Sequence, residues 1–256
     1  MNYVDVDVAR SLPGVRLVLT AGFPGPWGQA VKKMFELKSI AYVAVAQYAG
    51  QDNAALREWV GIRNAPVIVT DDQPPLSTSF EAIMFAERRA PAPALLPSDS
   101  EARSQVFGIV NELAGDRGFG WCRRLMLFDD ALRAKPELRD QPVMREMMKT
   151  YEVTDATIHT APARIVDILG MLTRRLKVQR AAGSQYLVGD TISAADVYWA
   201  CFSTMLEPLP DALCPMSEEL RRSRTPTHPA ILAAKEPVLI EHRDAMFERH
   251  LGPLEF

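Results

Sequence analysis

The 256-residue sequence has no run of about 18 consecutive apolar residues, so no membrane-spanning helix is expected. It has no clustered Lys and Arg either. The net charge is −3 and the basic residues are scattered, which argues against a face built to neutralise nucleic-acid phosphates. Cysteine is scarce: Cys122, Cys201 and Cys214 form no CxxC pair. An odd, sparse set, behind a first stretch (MNYVDVDVAR) with no signal-peptide pattern, predicts free thiols in a reducing, cytoplasmic compartment. The four histidines, His159, His228, His242 and His250, show no ligand spacing, so no metal site is expected. Internal repeats and low-complexity tracts are missing as well. What remains is 48% apolar and 24% charged, a balance able to build a core, in a length that suits one large domain or two ordinary ones.

Punctuation divides the chain. Residues 1–14 read as an N-terminal extension ending in the turn signal Leu12-Pro13-Gly14. Val15 to Thr20 is a short apolar strand, and Gly22-Phe23-Pro24-Gly25-Pro26 a rigid loop. From Trp27 the pattern is helical, with Ala30, Val31, Met34 and Phe35 on one side and Lys32, Lys33 and Glu36 opposite. Ile40–Gln47 is a second strand, and a short helix capped by Asp52 follows to Val60. Residues 66–69 form a third strand, a turn leads to a fourth around Leu76, and a helix runs from about Ser79 to Arg89. The order β-α-β-α-β-β-α over residues 15–90 predicts a small α/β domain with a parallel crossover and a terminal antiparallel hairpin. Residues 91–97 carry Pro91, Pro93 and Pro97 and read as a linker. From 98 to 256 strand signals vanish. Ser98-Asp99-Ser100-Glu101 opens a helix as a capping box, and Ile165, Ile168, Leu169, Leu172 and Leu176 recur at helical spacing, giving an all-α helical-bundle domain.

Three motifs carry a resemblance. Asn64-Ala65-Pro66-Val67 resembles the "VPV" segment of the glutathione transferase superfamily, whose proline is in cis. Leu76-Ser77-Thr78-Ser79-Phe80-Glu81-Ala82-Ile83 is similar to its "L-x-E/Q-S-x-A-I", with Thr78 in the Glu/Gln slot and the Ala-Ile pair shifted by one residue. Gly189-Asp190-Thr191-Ile192-Ser193-Ala194-Ala195-Asp196 resembles the "G-D-x-x-S-x-A-D" capping segment, which identifies the fold and is structural. The resemblance implies a thioredoxin-like glutathione-binding domain followed by the helical domain. Glutathione would be the co-substrate and a small apolar electrophile the second partner, in a cytoplasmic homodimer with no nucleic acid, membrane or metal involved. It further implies that Pro66 and Val67 meet the cysteinyl backbone of the tripeptide, and that Thr78 and Ser79 at a helix head hold its γ-glutamyl carboxylate.

The same resemblance locates a gap. Gly25-Pro26-Trp27-Gly28 is similar to the "C-P-[YFW]-C" loop of cysteine-type members, so Gly25 and Gly28 occupy the two cysteine slots, and Gly22 the tyrosine slot. Backbone amides of a glycine-bearing loop at a helix start can stabilise a thiolate without a side chain, which makes the backbone at Gly25 the candidate catalytic group. Three glycines interrupt the helical pattern in Gly115-Asp116-Arg117-Gly118-Phe119-Gly120-Trp121-Cys122-Arg123-Arg124. Phe119 and Trp121 are candidates for an apolar substrate pocket, Arg124 for an anion contact, and Cys122 for a buried thiol; a plain loop with Trp121 in the core is the competing account. Three functions stay open: a transferase-type enzyme, a non-catalytic glutathione- or ligand-binding protein, and a dimeric scaffold.

Overall fold

The apolar run after Gly14 becomes the centre of a small sheet. A computed structural model describes residues 1–256, in two units: Met1–Leu95 together with Leu254–Phe256, and Leu96–Pro253. In the first unit β1 (Arg16–Thr20) pairs in parallel with β2 (Val43–Gln47) and antiparallel with β3 (Val67–Val69), in the order β2-β1-β3. The fourth strand expected around Leu76 shrinks to one antiparallel bridge, Ile68 with Leu76. Pro74 and Pro75 beside it lack the donors a longer ladder needs.

Residues 1–14 are packed rather than apart. Val4 bridges in parallel to Val45, and α1 (Val6–Ala9) buries Ala9 in a cluster with Val18, Val45, Val67, Val69 and Leu56. Leu56 comes from α3 (Ala54–Val60), whose N-cap is Asn53 rather than Asp52. On the other sheet face, α2 (Pro26–Leu37) buries Ala30, Val31, Met34 and Phe35 as the periodicity predicts. Lys32 and Lys33, expected on the solvent side, are buried too. Lys32 Nζ lies 3.2 Å from Glu36 Oε1 and donates to the Glu255 carbonyl at 3.1 Å, while Gln29 Nε2 donates to the same carbonyl at 3.0 Å. The last residues of the chain thus cover the lysine stem and satisfy its head group, which periodicity cannot foresee. α4 (Ser79–Arg89) completes the unit and packs beside α2.

The second unit is helical throughout: α5 (Ser100–Ala114), α6 (Phe119–Ala134), α7 (Pro142–Thr150), α8 (Asp155–Ala181), α9 (Ala194–Phe202), α10 (Glu218–Arg224), α11 (Pro229–Ala233) and α12 (Pro237–Met246). α5 is capped by Asp99, which accepts from the Ala102 amide at 2.8 Å, rather than by Ser98. Ile165, Ile168, Leu169, Leu172 and Leu176 are all buried on α8, which packs on α6. Every residue of α9 is buried, so this helix is the axis of the unit. No helix is long and apolar enough to cross a membrane.

Candidate functional site

Strand registers bring three segments of the first unit to one end of the sheet. Val67 lies opposite Val18 in the antiparallel pair, so continuing that register sets Ala65 across from Thr20, the last residue of β1. The bridge between Ile68 and Leu76 likewise directs residue 66 across from residue 78, at the head of α4. The loop Ala21–Gly25 leaves β1 at this same end. Ligands of open α/β sheets bind outside the carboxyl ends of the parallel strands, which is where these segments meet.

The Ala65–Pro66 bond is cis. Val67, however, is misassigned in the sequence reading. Ile68 exchanges both of its main-chain hydrogen bonds with Leu76, at 2.8 and 2.9 Å. Adjacent residues of a strand turn their main-chain groups to opposite sides, so those of Val67 face β1, where Val18 pairs with it. Val67 has no main chain left for a ligand. Ala65 does: it precedes the strand, lies outside the ladder and makes no main-chain hydrogen bond. The signal was in the motif, one residue to the other side of Pro66, and became legible only through the alternation of the ladder.

At the head of α4, Thr78 is the N-cap. Its hydroxyl accepts from the Glu81 amide at 3.2 Å, and Glu81 Oε2 accepts from the amides of Thr78 (2.9 Å) and Ser77 (3.0 Å) and from the Thr78 hydroxyl (2.9 Å). The Thr78 amide, foremost, holds the Glu81 carboxyl below the usual range. Thr78 is therefore consumed by its own cap and is no ligand residue. Ser79 is the first helical residue, half-buried, and its amide has no acceptor within the helix. Ala82 and Ile83 are buried. Aligning on that pair sets Phe80, 58% exposed, in the motif's serine slot and Ser79 in the Glu/Gln slot.

The loop corrects a second assignment. The Gly25 amide donates to the Phe23 carbonyl at 2.8 Å, so it is turned back into the loop and away from any bound thiol. Gly25 is the N-cap of α2, with φ −64°, and a Cβ added there would meet only Phe23 Cδ1, at 3.9 Å. A side chain is sterically admissible. At Gly28 a Cβ would lie 3.0 Å from Leu19 Cδ2, so close packing of α2 on β1 accounts for that glycine. Gly22 has φ +69° and needs glycine for its backbone. Thr20, the nearest hydroxyl upstream, donates to Gln47 Oε1 at 2.8 Å.

Phe119, Trp121 and Arg124 belong to the second unit. Phe119 is fully buried, with its ring centroid 5.9 Å from that of Trp199, and is a core residue with no surface for a substrate. Trp121 is partly exposed and meets Tyr151 edge-on at 5.0 Å. The Arg124 guanidinium lies 4.6 Å from the Tyr151 ring and bonds its hydroxyl. The glycine break is a tight connection from α5 to α6. Cβ atoms at Gly115 and Gly118 would each come within 2.7 Å of the Asn111 or Glu112 carbonyl oxygen, which explains both glycines without a pocket. Cys122 is buried, and desolvation pushes its thiol up to about 11.

No family model and no curated protein matches the sequence. Solved structures do resemble the fold. A glutathione S-transferase from Methylobacillus flagellatus KT, with glutathione bound, is 18% identical; the match covers 94% of this chain and 100% of that one, with a TM-score of 0.61. A glutathione S-transferase domain-containing protein from Marinobacter aquaeolei VT8 is 14% identical over 91% and 98% of the two chains, with a TM-score of 0.62. Maleyl pyruvate isomerase, a bacterial zeta-class glutathione S-transferase, is 18% identical over 91% and 92%, with a TM-score of 0.58. With a β2-β1-β3 sheet followed by a bundle around a buried, capped helix, the chain has the fold of the glutathione transferases.

Proposed function

We propose that the first unit binds glutathione and that the protein uses its thiolate on a small apolar electrophile, as a cytoplasmic homodimer. The observation that carries the reading is the open main chain of Ala65, at the sheet end where the head of α4 and the loop after β1 also arrive. An extended cysteinyl residue would pair with the N–H and C=O of Ala65. Its γ-glutamyl carboxylate would accept from the first-turn amides at Ser79, where the helix dipole favours an anion. Its sulfur would then lie toward the loop and the start of α2, where the amide of Gly28 lies in the first turn. The glutathione carried by the Methylobacillus protein supports the ligand's identity.

The three glycines favour a second reading, a glutathione-binding protein without chemistry, because no loop side chain is present to activate the sulfur. Titrating the ultraviolet absorbance of the bound thiolate against pH separates the two. The transferase reading predicts half-ionisation below that of a free thiol, about 8.5. An unshifted ionisation leaves binding alone, and calorimetry that detects no uptake of glutathione ends both.

A further inference from the structure

Helix α2 carries a polar side chain that stability alone does not explain. Gln29 is 3% exposed. Its Nε2 donates to the Glu255 carbonyl at 3.0 Å, while its Oε1 is buried with no hydrogen-bond partner. An amide buried half-satisfied is less favourable than an apolar side chain of the same shape, which leaves nothing unpaired. What Gln29 does in return is grip one carbonyl from the far end of the chain. Lys32, one turn on, donates to the same oxygen at 3.1 Å. That carbonyl is itself held in place, because Leu254 beside it is buried and residues Leu254–Phe256 belong to the first unit.

The grip falls where packing leaves α2 open. A cleft of about 400 Å³ runs along this flank, lined among others by Lys32 and Glu36 from α2, Tyr42 and Ala44 at the start of β2, and Glu255. Glu255 thus meets α2 through polar contacts beside the cleft. The main chain of Gln29 reaches the other way. Its amide donates to the Gly25 carbonyl at 2.9 Å, the first bond of the helix, and Gly25 is the N-cap on which the loop after β1 ends. Its neighbour Gly28 packs on β1 so closely that a Cβ there would lie 3.0 Å from Leu19 Cδ2. Gln29 therefore joins two attachments of the first turn of α2: the loop at its amide, and the segment Leu254–Phe256 at its side chain.

We propose that Gln29 is a positioning residue of the thiol site, whose hold on the Glu255 carbonyl keeps the amide end of α2 aimed at the sulfur of bound glutathione. The inference rests on the glutathione reading, and Gln29 itself touches no ligand. It is tested with Gln29→Met, which fills the same space without the amide, in two measurements. One is the pH titration of bound glutathione; the other is calorimetric binding of S-methylglutathione, which has no thiol to ionise. The expected result is an ionisation constant about threefold smaller in the variant, the size of a helix-end interaction with a charge. S-methylglutathione binding should hold within about twofold, since Ala65 and the head of α4 are left alone. The urea midpoint should equal or exceed that of the wild type, because the unsatisfied oxygen is gone. The ionisation decides. A variant that binds glutathione and ionises it at the wild-type pH overturns the role of Gln29, whether or not S-methylglutathione binds more weakly. A variant too unstable to bind either ligand overturns it as well, since Gln29 then serves the fold. A wild type that binds neither overturns the glutathione reading, and this proposal with it.

Discussion

Helices α4 and α9 both begin with a hydroxyl at the N-cap and a carboxylate three residues on: Thr78 with Glu81, and Ser193 with Asp196. In the sequence they are the same device. In the structure their settings differ completely. Asp196 is fully buried; its Oδ2 accepts from the Ser193 amide (2.8 Å) and hydroxyl (2.7 Å), and its Oδ1 from the Leu187 amide (2.7 Å) and His242 Nε2 (2.9 Å). Glu81 reaches back to exposed amides beside the candidate site. One cap holds the centre of a domain together and the other trims the edge of the candidate site. A capping box tells where a helix starts, and burial decides what its loss costs.

Asp196→Ala should have the largest effect. It strands the Leu187 amide, the Ser193 amide and the His242 ring inside the bundle, and a loss of about 3–5 kcal/mol is expected in urea unfolding, as for other broken buried pairs. A loss below about 1 kcal/mol would erase the contrast between the two caps. Thr78→Ala should cost about 1 kcal/mol, the ordinary value of an exposed N-cap. The carboxylate half of this cap should fade in acid. Because the folded Glu81 carboxyl titrates below its ordinary value, the stability it adds is complete above the usual glutamate range and is lost as pH falls through the lowered value. The gap between wild type and Glu81→Gln should therefore narrow on acidification, while a gap that widens would contradict the cap geometry. Gly25→Ser should have the smallest effect, a gain of a few tenths of a kcal/mol at most. Serine is the better N-cap, and the site admits a Cβ.

Most of the architecture was legible. The strand run Val15–Thr20, the helix from Ser79 to Arg89 and the apolar face of α8 follow from periodicity and punctuation alone. Three kinds of error share one cause, partners distant in sequence. Lys32 and Lys33 looked solvent-facing until Glu255 arrived to satisfy Lys32. Val67 looked available until Leu76, pairing with Ile68, set which side its main chain faces. Phe119 looked like a pocket residue until Trp199, eighty positions on, packed against it. The site was half legible: cis Pro66 and the head of α4 were marked by motifs, but Ala65 depends on register, which a single strand's sequence does not encode.

The central claim is that a thiol tripeptide lies extended along the main chain of Ala65. A crystal structure of the protein soaked with glutathione tests it most directly. The account predicts the cysteinyl N–H and C=O paired with Ala65, the γ-glutamyl carboxylate at the first-turn amides of α4, and the sulfur toward the start of α2. Glutathione seated elsewhere, or held through Val67 with Ala65 untouched, would contradict it.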